Sequence, residues 1–380
     1  MHILIVAPEQ IPVPPVMGGS VEVCILSIAR KLARTERVTI ISRAHPRYPR
    51  ISHEANLTII RVPSGNEGAY TKAVLQAIYD KKYDWIQVDN RPRIAAKLKL
   101  KYPHTPVSLF LHSMTFVTPP YRYMDRASQM IAKVDVIITN SLSLKQKIAD
   151  VFPQQSDKVR TVLLGVDSTR FRPPTAIRKQ FLRRKYNVHR SFNVLFVGRL
   201  IPKKGVEVLL KAMKIAAKHR PNMRLIIVGG AQRQSYMIKL RKMVKTLQVP
   251  AVFIGRLPHK QLHRTYWLGD CLVCPSQKHE AFGLVNVEAM ASGIPVIASK
   301  NGGIKEIVDD RHNGYLIRDY PKSSPFARKI LHLAQHSEKR KRMGRQARID
   351  VLRRFSWQRV ARDLLMIYKS TKEDMLRKEG

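Results

Sequence analysis

The 380-residue sequence has only three cysteines, Cys24, Cys271 and Cys274. This number is too small for a disulfide framework, and an odd count is typical of proteins kept in a reducing cytosol. Cys271 and Cys274 form a C-x-x-C pair, but a structural zinc site needs a second such pair or a histidine motif. We therefore interpret both residues as part of a buried strand over 270–275 and expect no metal site.

The sequence also lacks long apolar runs, and its start does not have the features expected of a signal peptide. It contains no run of about 18 apolar residues, the length that indicates a membrane-spanning helix. The start, MHILIVAPEQ, has no basic segment and no small-residue cleavage site, which indicates a strand rather than a signal peptide. Together with a hydrophobic content of 44%, these features predict a cytoplasmic globular protein.

Acidic residues are scarce: 27 of them stand against 69 basic residues, and the formal net charge is +42. Residues 1–165 carry 23 basic and 12 acidic side chains, and the remainder carries 46 and 15. The basic residues are densest between Lys339 and Phe355. Two interpretations stay open: a solvated helix face, or attraction to an acidic membrane, an anionic polymer, an acidic protein layer or nucleic acid. With 7% aromatic residues and no RNA-binding motif, we expect no specific nucleic-acid partner.

Strand-like and helix-like segments alternate along the chain. His2–Val6 is a short apolar run, and Ser20–Leu32 has apolar residues at helical spacing. Further strands are predicted at 38–41, 57–61, 85–88, 106–111, 134–139, 192–197, 224–228, 252–254, 270–274 and 295–298. Strands separated by helices form βαβ units in a mostly parallel sheet. The pattern restarts after a polar segment, 165–190, which indicates a linker with one basic helix, so we expect two α/β domains.

One stretch, PSQKHEAFGLVNVEAMASGIPVIASKNGGIKE, combines two carboxylates with a glycine-bounded helix start. Glu280 would lie on the loop and Glu288 on the helix. The amides of Gly283, Leu284 and Val285 would be unpaired at the helix start, where phosphate binds readily. A phosphate site flanked by two carboxylates suits a ligand with both phosphate and hydroxyl groups, such as a nucleotide sugar.

Several motifs, in order along nearly the whole chain, make it similar to a known enzyme family. They are MGGSVE (17–22), LHS (111–113), LLGVDSTRFRP (163–173), VGRLIPKKG (197–205), EAFGLVNVE (280–288), GGIKE (302–306) and FSWQRVARDLL (355–365). In this order they resemble the retaining glycosyltransferases of family 4, which have the GT-B architecture. IPVPPVMGG and VDNRPR are also similar to segments of glycosyltransferases associated with the spore coat of endospore-forming bacteria.

The resemblance implies an α/β fold of two Rossmann-like, doubly wound domains that face each other across a cleft. Residues 1–165 would form the acceptor-binding domain, with acceptor loops such as 64–69 and 113–122. Residues 166–354 would form the nucleotide-sugar-binding domain. The segment 355–380 would form a helix that returns to the first domain. In such a fold, ligands bind at the carboxyl ends of the strands.

Arg199 and Lys204 are the candidate phosphate ligands. A planar guanidinium and a compact ammonium on one loop suit a diphosphate. The resemblance implies that these cations stabilise the leaving nucleoside diphosphate, a role that a metal ion fills in other enzymes, so no metal requirement is expected. Lys203 lies where relatives often carry an acidic residue, and it either adds charge to the site or faces solvent.

The two glutamates have different implied roles. Glu288 resembles the family carboxylate that binds the ribose hydroxyls, and its apolar neighbours argue against a freely exposed position. Glu280 resembles the residue beside the donor sugar, and we assign it donor positioning and charge stabilisation instead of a covalent intermediate. Ala281 replaces a glycine that is common after this glutamate, which leaves the identity of the donor sugar open.

Three further candidates lie in the first half of the chain. His112 ends a predicted strand, and it is either a structural histidine or a residue that contacts the donor sugar, as in family members. Gly18 and Gly19 follow the first strand. They form either a flexible turn or a close backbone approach to the phosphate and the acceptor.

The resemblance predicts transfer of a hexose from a nucleotide sugar, with a UDP-sugar as the expected donor, to a glycan, protein or lipid acceptor. No cofactor is expected, and spore coat or cell-envelope glycan assembly is the expected setting. Two alternatives stay open. One is a structural spore-coat component with a vestigial site. The other is a membrane-peripheral glycolipid glycosyltransferase, for which 97–101 is a faint candidate for a basic amphipathic helix in the first domain.

Overall fold

The computed structural model describes residues 1–120 and 123–379 of the chain. Residues 121, 122 and 380, which include the end of the predicted acceptor loop 113–122, lie outside the described residues. The chain forms two compact units, one over 166–356 and one that combines 1–165 with the C-terminal helix. That helix begins at Trp357, two residues after the predicted start of the C-terminal segment.

The first unit is built on a sheet of eight strands, as far as the chain is described, in the order β3-β4-β2-β1-β5-β6-β7-β8. The strands are β1 His2–Val6, β2 Arg37–Arg43, β3 Ile51–Glu54, β4 Leu57–Val62, β5 Trp85–Asp89, β6 Val107–Leu111, β7 Val136–Thr139 and β8 Val159–Thr161. The helices of this unit are α1 Ser20–Leu32, α2 Glu67–Ala77, α3 Pro92–Lys101, α4 Met124–Ala132, α5 Leu142–Val151 and α14 Trp357–Glu379.

The central strands of this sheet are buried, as expected for a parallel sheet with helices on both faces. Every residue of β5, β6 and β7 is buried. Among the described strands, β3 is the antiparallel one, pairing with β4 at the edge. Its sequence, ISHE, is largely exposed and has no apolar face, which is why the sequence did not predict it. The predicted helix α1 is confirmed, with Ile25, Ile28 and Leu32 fully buried.

The C-terminal helix α14 packs on the first unit through aromatic and polar contacts. The rings of Tyr368 and Trp85 stack with centroids 4.3 Å apart. The Tyr368 hydroxyl donates a hydrogen bond to Gln87 Oε1 at 2.5 Å, and Lys372 Nζ lies 2.6 Å from Asp84 Oδ1. These contacts tie the last helix to the strand β5.

The second unit contains a parallel sheet of six strands within the described residues, in the order β11-β10-β9-β12-β13-β14. The strands are β9 Phe192–Val197, β10 Met223–Val228, β11 Ala251–Gly255, β12 Cys271–Cys274, β13 Val296–Ser299 and β14 Gly314–Ile317. The helices are α6 Ala176–Lys185, α7 Val206–His219, α8 Gln234–Leu247, α9 His259–Tyr266, α10 Leu284–Ala291, α11 Ile304–Ile307, α12 Ser324–Gln335 and α13 Ser337–Arg354.

The two sheets confirm the predicted pair of Rossmann-like units. The C-x-x-C pair lies in the buried strand β12, as predicted, and none of the three buried cysteines forms a disulfide. The dense basic run forms the helix α13, which buries Met343, Ala347 and Val351 and turns most of its charged residues outward. No helix among the described residues has both the length and the apolar character to cross a membrane.

Candidate active site

Two loops at the carboxyl edge of the second sheet hold most of the candidate residues. Strand β9 ends at Val197 and is followed by Arg199, and the neighbouring strand β12 ends at Cys274 and leads to Glu280. Because both strands are parallel, their following loops meet at one edge of the sheet, where ligands bind in this kind of fold. The motifs VGRLIPKKG and EAFGLVNVE are therefore neighbours in space.

Lys204 and Glu280 form an ion pair, with Nζ 2.5 Å from Oε2. The Ser276 hydroxyl donates a second hydrogen bond to the same carboxylate oxygen at 2.9 Å. Burial raises the pKa of Glu280, but the charge and hydrogen bonds of Lys204 and Ser276 outweigh it, so the pKa lies below its ordinary value. Glu280 is therefore an ionised carboxylate whose orientation is set by two protein groups.

A tight turn after β13 fixes the backbone of Glu280. Gly303 N–H donates to the Glu280 carbonyl at 2.9 Å. Gly302 has φ of 56°, and a Cβ atom there would lie 2.0 Å from the same carbonyl oxygen. Only glycine combines this left-handed conformation with so close an approach. The GGIKE motif thus supports the position of Glu280.

Three cations gather on the loop after β9. Arg199 is exposed and makes no ion pair with the described residues. Burial lowers the pKa of Lys203 from its ordinary value, and the neighbouring charges of Arg199 and Lys204 lower it further. Three like charges in close proximity attract an anion to this edge of the sheet. Lys203 is exposed, so it faces solvent while its charge lies close to those of Arg199 and Lys204.

The start of helix α10 lies beside this cluster. Gly283 is the N-cap residue, with φ of 98° and no side-chain cap. The amides of Gly283, Leu284 and Val285 have no acceptor among the described residues, as is general for a first helical turn. These half-buried amides can donate to an anion.

Glu288 is buried on α10 and is held by residues that the sequence did not single out. The Tyr266 hydroxyl donates to Glu288 Oε2 at 2.5 Å. His259 Nε2 lies 3.9 Å from the other carboxylate oxygen. Burial raises the pKa of Tyr266 well above its ordinary value, and Glu288 raises it further, so the phenol stays a donor. One oxygen of Glu288 is thus fixed, and the other is directed toward His259.

In the first unit, His112 follows β6 and meets Asp89, the last residue of the adjacent strand β5. The distance from His112 Nε2 to Asp89 Oδ1 is 2.8 Å. Gln87 Nε2 donates to the other Asp89 oxygen at 2.8 Å, and Tyr368 in turn donates to Gln87. Asp89, Gln87 and Tyr368 are all fully buried. Gln87 donates to one Asp89 oxygen and His112 Nε2 lies on the other, so we assign the imidazole proton to Nε2, which leaves Nδ1 to face another group.

Gly18 and Gly19 both have left-handed backbones, with φ of 71° and 77°, and Gly19 is the N-cap of α1. A Cβ on Gly19 would lie 2.8 Å from Glu22 Oε2. Burial raises the pKa of Glu22 to about 7, and the nearby charge of Asp89 contributes to the rise. The carboxyl edge of the first sheet thus holds a histidine and acidic groups, in contrast to the cations of the second unit.

Across residues 1–120 and 123–379, the structure has no group of three or more His, Cys, Asp or Glu side chains arranged to hold a metal ion.

Comparison with known proteins identifies the family. Residues 178–350 match the family Glycosyl transferases group 1, and residues 17–170 match Glycosyltransferase Family 4. The chain is 30% identical to Spore coat protein SA of Bacillus subtilis (strain 168), over 98% of this chain and 100% of the relative. It is 28% identical to the putative glycosyltransferase YtcC of the same organism, over 97% and 92%.

Solved structures show the same fold. Sucrose-phosphate synthase from Thermosynechococcus elongatus superposes with a TM-score of 0.81 at 20% identity, over 97% of this chain and 99% of that one. Anabaena HepE in complex with UDP-glucose superposes with a TM-score of 0.81 at 21% identity, over 97% and 100%. Both the predicted GT-B fold and the predicted family are confirmed: the chain belongs to the group 1, family 4 glycosyltransferases and is a glycosyltransferase that resembles a spore coat protein.

Proposed function

We propose that the protein transfers a hexose from a nucleotide diphosphate sugar to a hydroxyl group of a glycan, protein or lipid, with retention of the anomeric configuration. The observation that carries this proposal is the assembly at the carboxyl edge of the second sheet. There, the cations Arg199, Lys203 and Lys204 lie beside the ionised Glu280. Such an arrangement can bind a diphosphate and an adjoining sugar together.

The diphosphate is held by fixed positive charge in this scheme. Arg199 offers a planar fork and Lys204 a point charge, and the first amides of α10 add dipoles at Gly283, Leu284 and Val285. As the bond to the sugar breaks, negative charge grows on the leaving phosphate, and these groups stabilise it. We therefore propose that transfer is independent of a metal ion and of any cofactor.

The two glutamates hold the hydroxyl-rich parts of the donor. Glu288, oriented by Tyr266, would accept hydrogen bonds from the ribose. Glu280 would accept them from the sugar. Because Lys204 and Ser276 both bind Glu280 Oε2, and its pKa is low, this carboxylate is a poor nucleophile. We infer that the acceptor attacks from the face that the diphosphate leaves, and that a leaving phosphate oxygen takes the acceptor proton.

The first unit supplies the acceptor side. Its candidate residues are His112, oriented by Asp89, and the backbone of Gly18 and Gly19. With its proton on Nε2, His112 would accept a hydrogen bond at Nδ1 from a hydroxyl of one of the two substrates. Exclusion of water from the reacting groups would favour transfer over hydrolysis.

Two relatives support the choice of donor and setting. The HepE structures contain UDP, or UDP-glucose, which supports a UDP-sugar as donor. The similarity to Spore coat protein SA supports a place in spore coat or cell-envelope glycan assembly, with the protein cytoplasmic, at a membrane surface or in the coat. That name also favours a second candidate function, a structural coat component whose transferase site is vestigial.

The test of the donor site is ligand-dependent thermal stability. Ligand that binds the folded state raises the melting temperature by mass action. We expect one among UDP-, GDP-, ADP- and dTDP-sugars to raise it equally with magnesium and with a chelator, and we expect Arg199→Ala to abolish the rise. Lys322→Ala, an exposed charge outside the site, is the matched control. No shift with any nucleotide would favour the vestigial site, and a product of inverted configuration by NMR would exclude retention.

A further inference from the structure

The helix α6 directs two cations toward the protein and two large apolar side chains toward solvent. Lys179 and Arg183, one turn apart, reach Asp270, with nitrogen to Oδ1 distances of 3.7 Å and 2.9 Å. Ile177 and Phe181 point away and are 80% and 67% exposed. None of the ten residues of this helix is fully buried. An ordinary surface helix shows the opposite pattern, with its apolar stripe against the core.

The outer face of α6 is also positively charged. Ile177 and Phe181 are four residues apart and share one face. Arg184 and Lys185 lie three and four residues after Phe181, and Arg178 lies next to Ile177, so exposed cations border the apolar pair. These three cations form no ion pair with the described residues, and the sequence has no acidic residue between Asp167 and Glu207. Positive charge on this face is therefore not neutralised locally.

We propose that the outer face of α6 docks the protein on an anionic lipid bilayer. A bilayer offers apolar chains for Phe181 and Ile177 and acidic headgroups for Arg178, Arg184 and Lys185. Nucleic acid or another polyanion would use the charges but would leave the exposed phenylalanine and isoleucine without a partner. The combination of the two chemistries on one helix face favours the lipid surface.

The position of α6 in its unit is compatible with this role. Asp270 directly precedes β12, so the helix is anchored at the amino edge of the second sheet. The candidate donor site lies at the carboxyl edge, beyond the other end of the same strand. Docking through α6 thus leaves Glu280 and its loop uncovered, and it is independent of whether the proposed transfer is correct.

A single substitution reports insertion directly. The three native tryptophans, Trp85, Trp267 and Trp357, are 0%, 8% and 5% exposed, so they respond little to a surface event. In a Phe181→Trp variant, the new indole starts in water. We expect its emission to shift to the blue, and brominated lipid to quench it, with vesicles of phosphatidylglycerol and phosphatidylcholine. Pure phosphatidylcholine vesicles should give neither effect.

The matched comparison uses vesicle co-sedimentation of the full chain. Ile177→Ser with Phe181→Ser should weaken binding to anionic vesicles about tenfold or more, because apolar insertion is lost. Ile238→Ser changes another exposed isoleucine, 60% exposed, on the basic helix α8, and should leave binding unchanged. Arg178→Gln with Arg184→Gln should reduce both binding and its sensitivity to salt. Melting curves establish that each variant is folded.

Three results would overturn the inference. If the Phe181→Trp variant sediments with anionic vesicles but its emission does not change, the contact lies elsewhere on this basic protein. Equal loss of vesicle binding in the Ile238→Ser control would mean that no particular face docks. Binding of a single-stranded oligonucleotide that depends on Ile177 and Phe181, without vesicle binding, would make this face a nucleic-acid surface.

Discussion

The carboxyl edges of the two sheets differ in charge and in how their polar groups are held. The edge of the second unit gathers cations and binds its carboxylates through short contacts, such as Lys204 to Glu280 and Tyr266 to Glu288. The edge of the first unit holds three acidic groups near His112, namely Asp89, Glu22 and Glu9, and Glu9 pairs with the cation Arg91. A cationic edge suits a diphosphate, and an acidic edge with a histidine suits hydroxyl groups. The two units of a similar fold thus have different chemical specialisations.

The largest expected effect comes from Lys204, which is both a candidate diphosphate ligand and the ion-pair partner of Glu280. Lys204→Gln removes a cation from the diphosphate site and the ion-pair partner of Glu280. We expect kcat/KM to fall by roughly 10³-fold, about 4 kcal/mol of transition-state stabilisation.

The matched control for this change is Lys203→Gln, which alters the neighbouring cation but not a contact to Glu280. Its loss should be about tenfold, since only long-range charge is removed. Equal losses for the two lysines, measured with saturating acceptor, would show that the ion pair with Glu280 has no separate role.

The backbone of Glu280 is supported by the close approach of Gly302. Gly302→Ala places a methyl group 2.0 Å from the Glu280 carbonyl, in a left-handed conformation. We expect it to destabilise the second unit by about 3 kcal/mol and to impair transfer. Gly255→Ala is the control, because Gly255 also has a positive φ, 85°, but no atom within 4 Å of a new Cβ. It should cost about 1 kcal/mol. Similar melting temperatures for the two variants would contradict the close approach.

Glu22, at the acidic edge of the first unit, should make the folded state less stable as the pH rises. Most carboxylates in folded proteins have the opposite effect. The pKa of Glu22 is raised to about 7 from 4.5, chiefly by burial. Between these values the folded state keeps a proton that the unfolded state loses, so stability falls as pH rises through this window. The full effect is about 3 kcal/mol. Glu22→Gln should flatten the pH dependence of the melting temperature, whereas Glu54→Gln, an exposed control, should not.

The sequence indicated which candidate residues lie close together more fully for the second unit than for the first, and the reason is how far apart the partners lie along the chain. VGRLIPKKG and EAFGLVNVE are short, continuous motifs, so Arg199, Lys204 and Glu280 could be identified from local stretches of sequence that resemble the family. Strands were predicted where apolar runs are continuous, but the short edge strands β3, β8 and β14 were missed. Tyr368 and Gln87, 281 residues apart, meet only because α14 packs beside β5. No local pattern encodes such a pair.

A substitution at Asp89 separates a positioning role of this residue from a purely structural one. Asp89→Asn removes the charge that selects the proton on His112 Nε2, and we expect kcat/KM to fall about 10- to 100-fold. Long-range ¹H–¹⁵N NMR of the histidine side chains should show that the His112 tautomer equilibrium changes, a readout that a loss of packing alone would not give.

Hydrogen bonds link His112 to Asp89, Gln87 and Tyr368 in turn, and a change at Tyr368 should affect transfer least. Tyr368→Phe removes one hydrogen bond to Gln87, two contacts away from His112, and keeps the ring that stacks on Trp85. We expect about 1 kcal/mol of destabilisation and a smaller fall in kcat/KM than with Asp89→Asn, with the His112 tautomer retained. If Tyr368→Phe instead reduced transfer as much as Asp89→Asn did, the hydrogen-bonded chain would act as a unit. His112 would then be set by the C-terminal helix as well as by β5, and the acidic edge would depend on distant contacts far more than the cationic edge does.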